Sequence, residues 1–482
     1  MLLQRIYDEK LAQASYLVGC SATGEAVVVD PNRDVEQYLR AAERHDLRIT
    51  HVTETHVHAD FVSGLRELAQ RTGATPYLSG EGGPDWSYAF ADAGTVLLRD
   101  GTSFSVGNIR FDVMFTPGHT PEHVAFLVTD TAATEVPLGM FSGDFVFVGD
   151  VGRPDLLERA AQIAGTMETG ARQLYASLQR LGDLPDHLQI WPAHGAGSAC
   201  GRALGAVPFS TLGYERRVNW AFRAESEEAF VREVLRGQPE PPHYFAQMKR
   251  INKEGPRVLG GLRRPPHFPA SHLDDLRYEN AIMVDTRRWE DYAAGHVPGT
   301  ISIPLNRAFT TWAGWLLPYD REFYLIVDTA HCPTCLDDTV RDLALIGLDR
   351  IGGYFDAGAV ESWAGADREL DRIEEMNAAQ VLDALATGAV HVIDVRGEAE
   401  YGAGHLPQVP NIPLGYLLDR LDEIPRDRPV VLQCQTGARS AIGAGLLRAR
   451  GMDLVSNLRG GFAHWEAAGY PVVEESVTPS TP

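Results

Sequence analysis

Thr55-His56-Val57-His58-Ala59-Asp60-Phe61 is the stretch on which the reading of this chain turns. It follows the β-rich run 49–53, and in layered α/β folds the loops after strand ends are where ligand-holding side chains converge. Three later segments have the same character: His119 in Thr116-Pro117-Gly118-His119-Thr120, Asp144 in Phe141-Ser142-Gly143-Asp144, and His194 in Pro192-Ala193-His194-Gly195. Each follows or ends an apolar run. Imidazole nitrogen and carboxylate oxygen are donors that borderline metals accept. A lone histidine of this kind is more often a buried or capping residue, but four recurrences after strands point to a metal centre.

Around this stretch, to about residue 225, short β-rich runs alternate with amphipathic helical ones: a strand over 25–30, a helix over 35–45, a strand over 49–53. That alternation predicts α/β layers. A stretch dense in Pro and Gly follows at about 236–268 and reads as a linker or an irregular packed arm. Beyond it lies an internal repeat. Met283-Val284-Asp285-Thr286-Arg287 matches Val392-Ile393-Asp394-Val395-Arg396, and Tyr292-x-x-Gly295-His296 matches Tyr401-x-x-Gly404-His405. Ile303-Pro304 matches Ile412-Pro413, and Gly352-Gly353 matches Gly460-Gly461. The expected organisation is a first domain over 1–240, a linker over 241–265, and two copies of one α/β domain over 266–371 and 374–475. The tail Ser476-Val477-Thr478-Pro479-Ser480-Thr481-Pro482 is expected to be unstructured.

With 482 residues the chain has room for about three domains, and 44% hydrophobic with 22% charged residues is globular composition. The net charge of -22 argues against nucleic-acid and anionic-membrane surfaces, which need clustered Lys and Arg. An anionic substrate would need a local basic pocket within this field. No targeting segment and no window of roughly 18 apolar residues is visible. Cys20, Cys200, Cys332, Cys335 and Cys434 are too sparse for a disulfide framework, so a reducing, cytoplasmic setting is expected.

The first motif, with His119, Asp144 and His194 in order, resembles the signature His-x-His-x-Asp-His of the metallo-β-lactamase superfamily. The resemblance covers about the first 225 residues and implies an αββα sandwich. Phe61 stands where hydrolytic members of glyoxalase II type carry the histidine that helps hold a second metal. The remaining set, His56, His119 and Asp144, is a two-histidine, one-carboxylate arrangement with open positions, suited to one non-haem Fe(II). It matches the persulfide dioxygenase branch, which places His58, Asp60 and His194 behind the ligands as orienting residues. Gly149-Asp150-Val151-Gly152-Arg153-Pro154-Asp155 looks like a segment of the same branch, in which Arg153 binds a carboxylate of the thiol carrier; the competing reading is an ion pair with Asp150 or Asp155. Where animal-type dioxygenases carry a glutathione-holding Tyr, this chain has Gly195-Ala196-Gly197, which leaves the carrier thiol open. Cys200 is a candidate sulfur-relay site or, equally, a small buried hydrophobe.

Gln433-Cys434-Gln435-Thr436-Gly437-Ala438-Arg439-Ser440 lies between an apolar strand and a helix. Backbone N–H groups and the helix N-terminus converge on such a turn and stabilise a thiolate, a persulfide or an oxyanion. It resembles the rhodanese loop Cys-x-x-Gly-x-Arg-Ser, implying catalytic roles for Cys434 and Arg439. The four residues between them are one fewer than in Cys-x5-Arg phosphatases. The first copy has Asp328 at the cysteine position and is expected to lack sulfurtransferase activity. Cys332-Pro333-Thr334-Cys335 invites redox or zinc readings against a plain loop, and no second pair completes a zinc site.

Together the resemblances imply a metallo-β-lactamase-fold dioxygenase followed by two rhodanese-like α/β domains. The implied reaction converts a low-molecular-weight thiol persulfide, glutathione-like or other, and O2 to sulfite, with Cys434 passing sulfane sulfur to sulfite to form thiosulfate. Dioxygenases of this fold often form dimers, though no seam is visible. The rivals are a zinc thioester hydrolase and a sulfur-carrier or sensor protein.

Overall fold

Gln13–Cys20 is a strand buried along its whole length, which only a sheet covered on both faces allows. It is the second strand of a six-stranded sheet running Leu2–Asp8, Gln13–Cys20, Glu25–Val29, Arg48–Thr53, Thr75–Ser79, Val96–Leu98. The first three strands pair antiparallel and the rest parallel. The strand–helix–strand reading of this region holds to within a residue or two at each end: Glu25–Val29, helix Glu36–Arg44 and Arg48–Thr53. A second six-stranded sheet runs Ser210–Thr211, Gln189–Pro192, Gly139–Gly143, Val124–Asp130, Ile109–Phe115, Ser103–Val106.

The computed structural model describes residues 1–161, 165–202, 204–238, 240–365 and 368–474, and the tail discussed above lies outside them. Two units emerge, Met1–Leu262 with Leu343–Gly347, and Arg263–Asp342 with the residues from Leu348 onward. In the first, the sheets meet over a core that joins Tyr16, Val18 and Val27 of one to Phe111, Phe126, Phe141 and Trp191 of the other. Helices Glu36–Arg44 and Leu65–Thr72 cover the outer face of the first sheet, through Tyr38, Ala41, Leu65 and Leu68. Helices Thr166–Gln179 and Glu227–Leu235 cover the second, through Leu174, Leu178, Phe230 and Val234. This is the expected αββα sandwich. It places the ends of Arg48–Thr53, Gly139–Gly143 and Gln189–Pro192 on one edge.

The stretch 241–265, expected as a linker, instead contains helix Tyr244–Glu254. Its buried positions Phe245, Met248, Lys249 and Asn252 recur at three- and four-residue spacing, so one face packs onto the first unit. Prolines on both sides masked that periodicity.

The second unit contains two four-stranded sheets, each parallel throughout: Ile301–Ser302, Ile282–Asp285, Phe323–Val327, Ile351–Asp356, and Glu374–Met376, Val455–Leu458, Val430–Gln433, His391–Asp394. The repeated sequence marks have matching physical roles. Arg287 bonds the Asp285 carboxylate and the Gly295 carbonyl, and Arg396 bonds Asp394 and the Gly404 carbonyl. Tyr292 stacks on His296 and Tyr401 on His405, each at 3.7 Å between ring centroids. The copies are nevertheless not separate bodies: Arg448 of the second pairs with Asp371 of the first. Among the described residues no helix is long and apolar enough to cross a membrane.

Phe141 packs against Tyr16 at 4.9 Å and Trp191 at 4.8 Å, where the two sheets of the sandwich meet. Phe141→Ala is expected to lower the unfolding free energy of the first unit by about 3–5 kcal/mol. Urea denaturation followed by near-UV circular dichroism checks this; a loss below about 1 kcal/mol would mean that the sheets close over the cavity.

Candidate metal centre and sulfur-transfer loop

His56, His119 and Asp144 come together as the sequence predicts, each offering a donor atom within 4.8 Å of the others. His56 Nε2 lies 3.8 Å from Asp144 Oδ2, and His119 Nε2 lies 3.4 Å from it. These same three atoms are buried with no hydrogen-bond partner. Orphaned polar atoms in a protein interior are costly, and a bound cation would satisfy all three at once.

The tautomers suit that purpose. Thr55 Oγ1 donates to Asp30 Oδ2 at 3.0 Å, so it accepts from His56 Nδ1–H at 2.9 Å and leaves Nε2 as the free lone pair. His119 Nδ1–H donates to the Arg153 carbonyl at 2.9 Å with the same result. Burial pushes both imidazoles towards neutrality, His56 far below its ordinary range and His119 to about 4. Burial would raise the Asp144 carboxyl, but the charge and hydrogen bond of His194 hold it well below the usual carboxylate range. Two neutral imidazoles and one carboxylate are the protonation states metal binding requires. Backbone geometry adds to this: Gly143 has φ +54°, and a Cβ there would meet Thr55 Oγ1 at 2.5 Å and His123 Nε2 at 2.6 Å.

His58, Asp60 and His194 stand behind the donors. His58 Nε2 is 3.2 Å from Asp30; burial works against its charge, but Asp30 lifts its pKa to about 9. His194 donates through Nδ1 to Asp144 Oδ1 at 2.7 Å and through Nε2 to Asp60 Oδ2 at 2.8 Å. Burial again opposes the charge, yet the two carboxylates raise its pKa far above the ordinary range. Both nitrogens of His194 are thereby committed, and Phe61 is wholly buried against His58.

Two orienting residues were missed in the sequence. Asp30, at the end of Glu25–Val29, accepts from the Thr55 amide at 2.7 Å and holds the whole first motif. His123 Nε2 accepts from the Asp144 amide at 3.1 Å. An isolated Asp and an isolated His carry no spacing that would have exposed them. Arg153 is paired within the chain. Its guanidinium is wholly buried and closed on Asp155 at 2.7 and 2.8 Å and on the Ala199 carbonyl at 3.1 Å. This is the ion-pair alternative with Asp155, which takes the Nε and one Nη2 hydrogen of the guanidinium. Cys200 is buried beside Asp60 and His194, and burial pushes its thiol pKa up.

In the second unit Cys434 directly follows strand Val430–Gln433, and helix Ala438–Ala449 begins after Gly437 at φ +98°. The Gly437 amide donates to Cys434 Sγ at 3.2 Å, and Ser440 Oγ donates to it at 3.3 Å. Arg439 turns to Glu400, with contacts of 2.6 and 2.7 Å. The cradle at the sulfur is therefore made by the backbone and Ser440, with Arg439 tied at its edge. In the first copy Asp328 binds His331 at the equivalent strand end. Cys332 and Cys335, weighed in the sequence between redox, zinc and plain-loop readings, form a disulfide with each other.

Two facing sheets with a buried His, His, Asp cluster on one edge define a metal-dependent sandwich protein, here joined to a parallel-sheet unit with a cysteine loop. Residues 9–194 match the Metallo-beta-lactamase superfamily and residues 377–468 the Rhodanese-like domain. A solved metallo-beta-lactamase from Staphylococcus aureus subsp. aureus COL is 43% identical, covers 74% of this chain and 99% of its own, and superposes with a TM-score of 0.65. A hydroxyacylglutathione hydrolase from Methylococcus capsulatus is 30% identical over 260 residues, 52% of this chain and 91% of its own. A beta-lactamase hydrolase-like protein from Xylella fastidiosa is 26% identical over 307 residues, 56% of this chain; the match spans only 64% of that relative. The chain belongs to the metallo-beta-lactamase superfamily and carries a rhodanese-like domain towards its C-terminal end.

Asp30→Asn keeps the shape of the first motif but weakens the charge-assisted bonds to Thr55 and His58. Metal affinity is expected to fall by about 10–100-fold with the fold intact. Competition with a chromophoric chelator measures this, and an unchanged affinity would remove Asp30 from the positioning of the ligands.

Proposed function

We propose that this chain is a mononuclear iron persulfide dioxygenase coupled to a sulfurtransferase. The observation that carries the reading is the trio of orphaned donor atoms on His56, His119 and Asp144; at the neighbouring group Asp60, His194 and Cys200, both ring nitrogens of His194 are already bonded to carboxylates and Phe61 offers no ligand. A two-histidine, one-carboxylate face leaves coordination positions for both substrate and dioxygen. When bound, Fe(II) supplies the redox chemistry that brings O2 and a sulfur anion together. The chain's own residues set the stage: Asp30 and Thr55 fix His56, the Arg153 carbonyl fixes His119, and His194 with Asp60 fixes Asp144.

The overall reaction is RSSH + O2 + H2O → RSH + sulfite + 2 H+, where RSSH is a low-molecular-weight thiol persulfide. At the second site the Cys434 thiolate attacks the outer sulfur of another persulfide, the S–S bond breaks, and RSH leaves. Sulfite then takes that sulfur from Cys434, giving thiosulfate and restoring the thiolate. The Gly437 amide and Ser440 hydroxyl stabilise the sulfur anion in each resting state. Carrying both activities on one chain raises the local concentration of sulfite at Cys434.

The hydrolase names of relatives favour a second reading, a zinc thioester hydrolase. Metal analysis of anaerobically purified protein, beside O2 uptake with glutathione persulfide, separates the two. Near one iron per chain with persulfide-dependent O2 uptake is the expected outcome; two zincs per chain with acyl-thioester hydrolysis would replace it. Cys434→Ser is expected to keep O2 uptake while the product shifts from thiosulfate to sulfite. Undiminished thiosulfate would break the proposed coupling.

A further inference from the structure

Lys249 is 8% exposed, and its Nζ has no hydrogen-bond partner. It lies on helix Tyr244–Glu254, one turn before Asn252. Asn252 Nδ2 donates to the carbonyls of His58 at 2.8 Å and Phe61 at 2.7 Å, and its Oδ1 accepts from the Ser63 amide at 2.9 Å. The face of the helix that carries Lys249 is thus the face that clamps the first metal motif. The ammonium sits 5.0 Å from the Trp86 ring, which can soften but not replace the hydration of a cation. The acidic group it senses most is Glu122, and it acts in turn on His119. Glu122 Oε2 is likewise buried without a partner, so the two opposite charges do not close on each other.

A desolvated ammonium with no acceptor is strongly unfavourable and persists where an acceptor arrives from outside. Arg153, a further cation of this region, is by contrast paired with Asp155 and bonded to the Ala199 carbonyl. We propose that Lys249 is a substrate-binding residue of the metal pocket, holding the sulfur anion: the persulfide as it enters and the sulfur oxyanion as it leaves.

This inference deepens the proposed function and rests on that reading of the pocket, so its test does not rely on turnover. Sulfite binding to zinc-loaded protein is measured by titration calorimetry for the parent, Lys249→Met and Lys249→Arg, with metal content and thermal midpoint recorded for each. The expected result is at least a tenfold loss of sulfite affinity in Lys249→Met, recovery to within about threefold in Lys249→Arg, and an equal or higher midpoint for Lys249→Met, since an unpaired buried charge is removed. With iron-loaded enzyme, Lys249→Met should raise KM for glutathione persulfide more than it lowers kcat. Parent protein that does not bind sulfite, or a Lys249→Met variant that binds it equally well, overturns the inference. Should Lys249→Met fold poorly, Lys249→Gln is judged by the same affinities. If the parent shows Lys249-dependent sulfite binding but no persulfide-dependent O2 uptake, the dioxygenase reading falls and the anion site stands.

Discussion

An imidazolium held between two carboxylates fixes the geometry of the first unit. Asp60, His194 and Asp144 come from three separate strand ends, and all are buried. Each charge would be expensive alone, and removing one member strands the others in a low-dielectric interior. The arrangement survives because the bonds are short, aligned and complete on His194. Its consequence is directional. With Oδ1 of Asp144 engaged, only Oδ2 faces His56 and His119, and each histidine is turned by its own outer bond so that Nε2 meets it. Ligand geometry is therefore set before any ion arrives.

The second unit separates scaffold from chemistry. Both copies keep the Asp–Arg–carbonyl clamp and the Tyr–His stack, which are local devices for anchoring the loop after the first parallel strand. They differ at the strand end that matters. Cys434 is met there by an amide and a hydroxyl, whereas Asp328 is met by His331. Anchors depend on side chains packed within one copy, so they persist without the reactive group. A nucleophile depends on the turn into a helix, and in the first copy that turn has lost the Gly-x-Arg-Ser pattern.

How much could be read from the sequence depended on how local each feature is. The trio His56, His119 and Asp144 was legible because each sits in a short segment directly after an apolar strand, and the repeat was legible because it is written twice. The fate of Arg153 was not: acids at Asp150 and Asp155 flank it in sequence, and only the folded chain turns Asp155 onto the guanidinium while the Asp150 carboxylate accepts from Trp220 Nε1 and the Arg202 amide. Helix Tyr244–Glu254 was hidden by flanking prolines, and with it Lys249 and Asn252. Asp30 and His123 act across 25 and 21 residues of chain, without a motif to mark them.

For a chain with a net charge of -22 to handle persulfide and sulfite, as proposed, it must still attract anions. Surface charge is screened within about 8 Å at physiological ionic strength, so the acidic exterior contributes little inside a closed site. What counts there is desolvated positive potential, and the two sites supply it by different means. Around Cys434 it comes from the Gly437 amide and the start of helix Ala438–Ala449, partial charges that cannot titrate or be neutralised by a neighbouring acid. Around the metal donors it would come from a bound ion and, as proposed, from the ammonium of Lys249, full charges in a pocket rich in carboxylates. Fixed dipoles suit a cysteine that must hold a sulfur anion at rest; full charges suit a pocket that must draw an anion past Glu122, Asp60 and Asp144. The acidic surroundings that keep Asp144 oriented thereby create the need for a cation of the chain's own beside it.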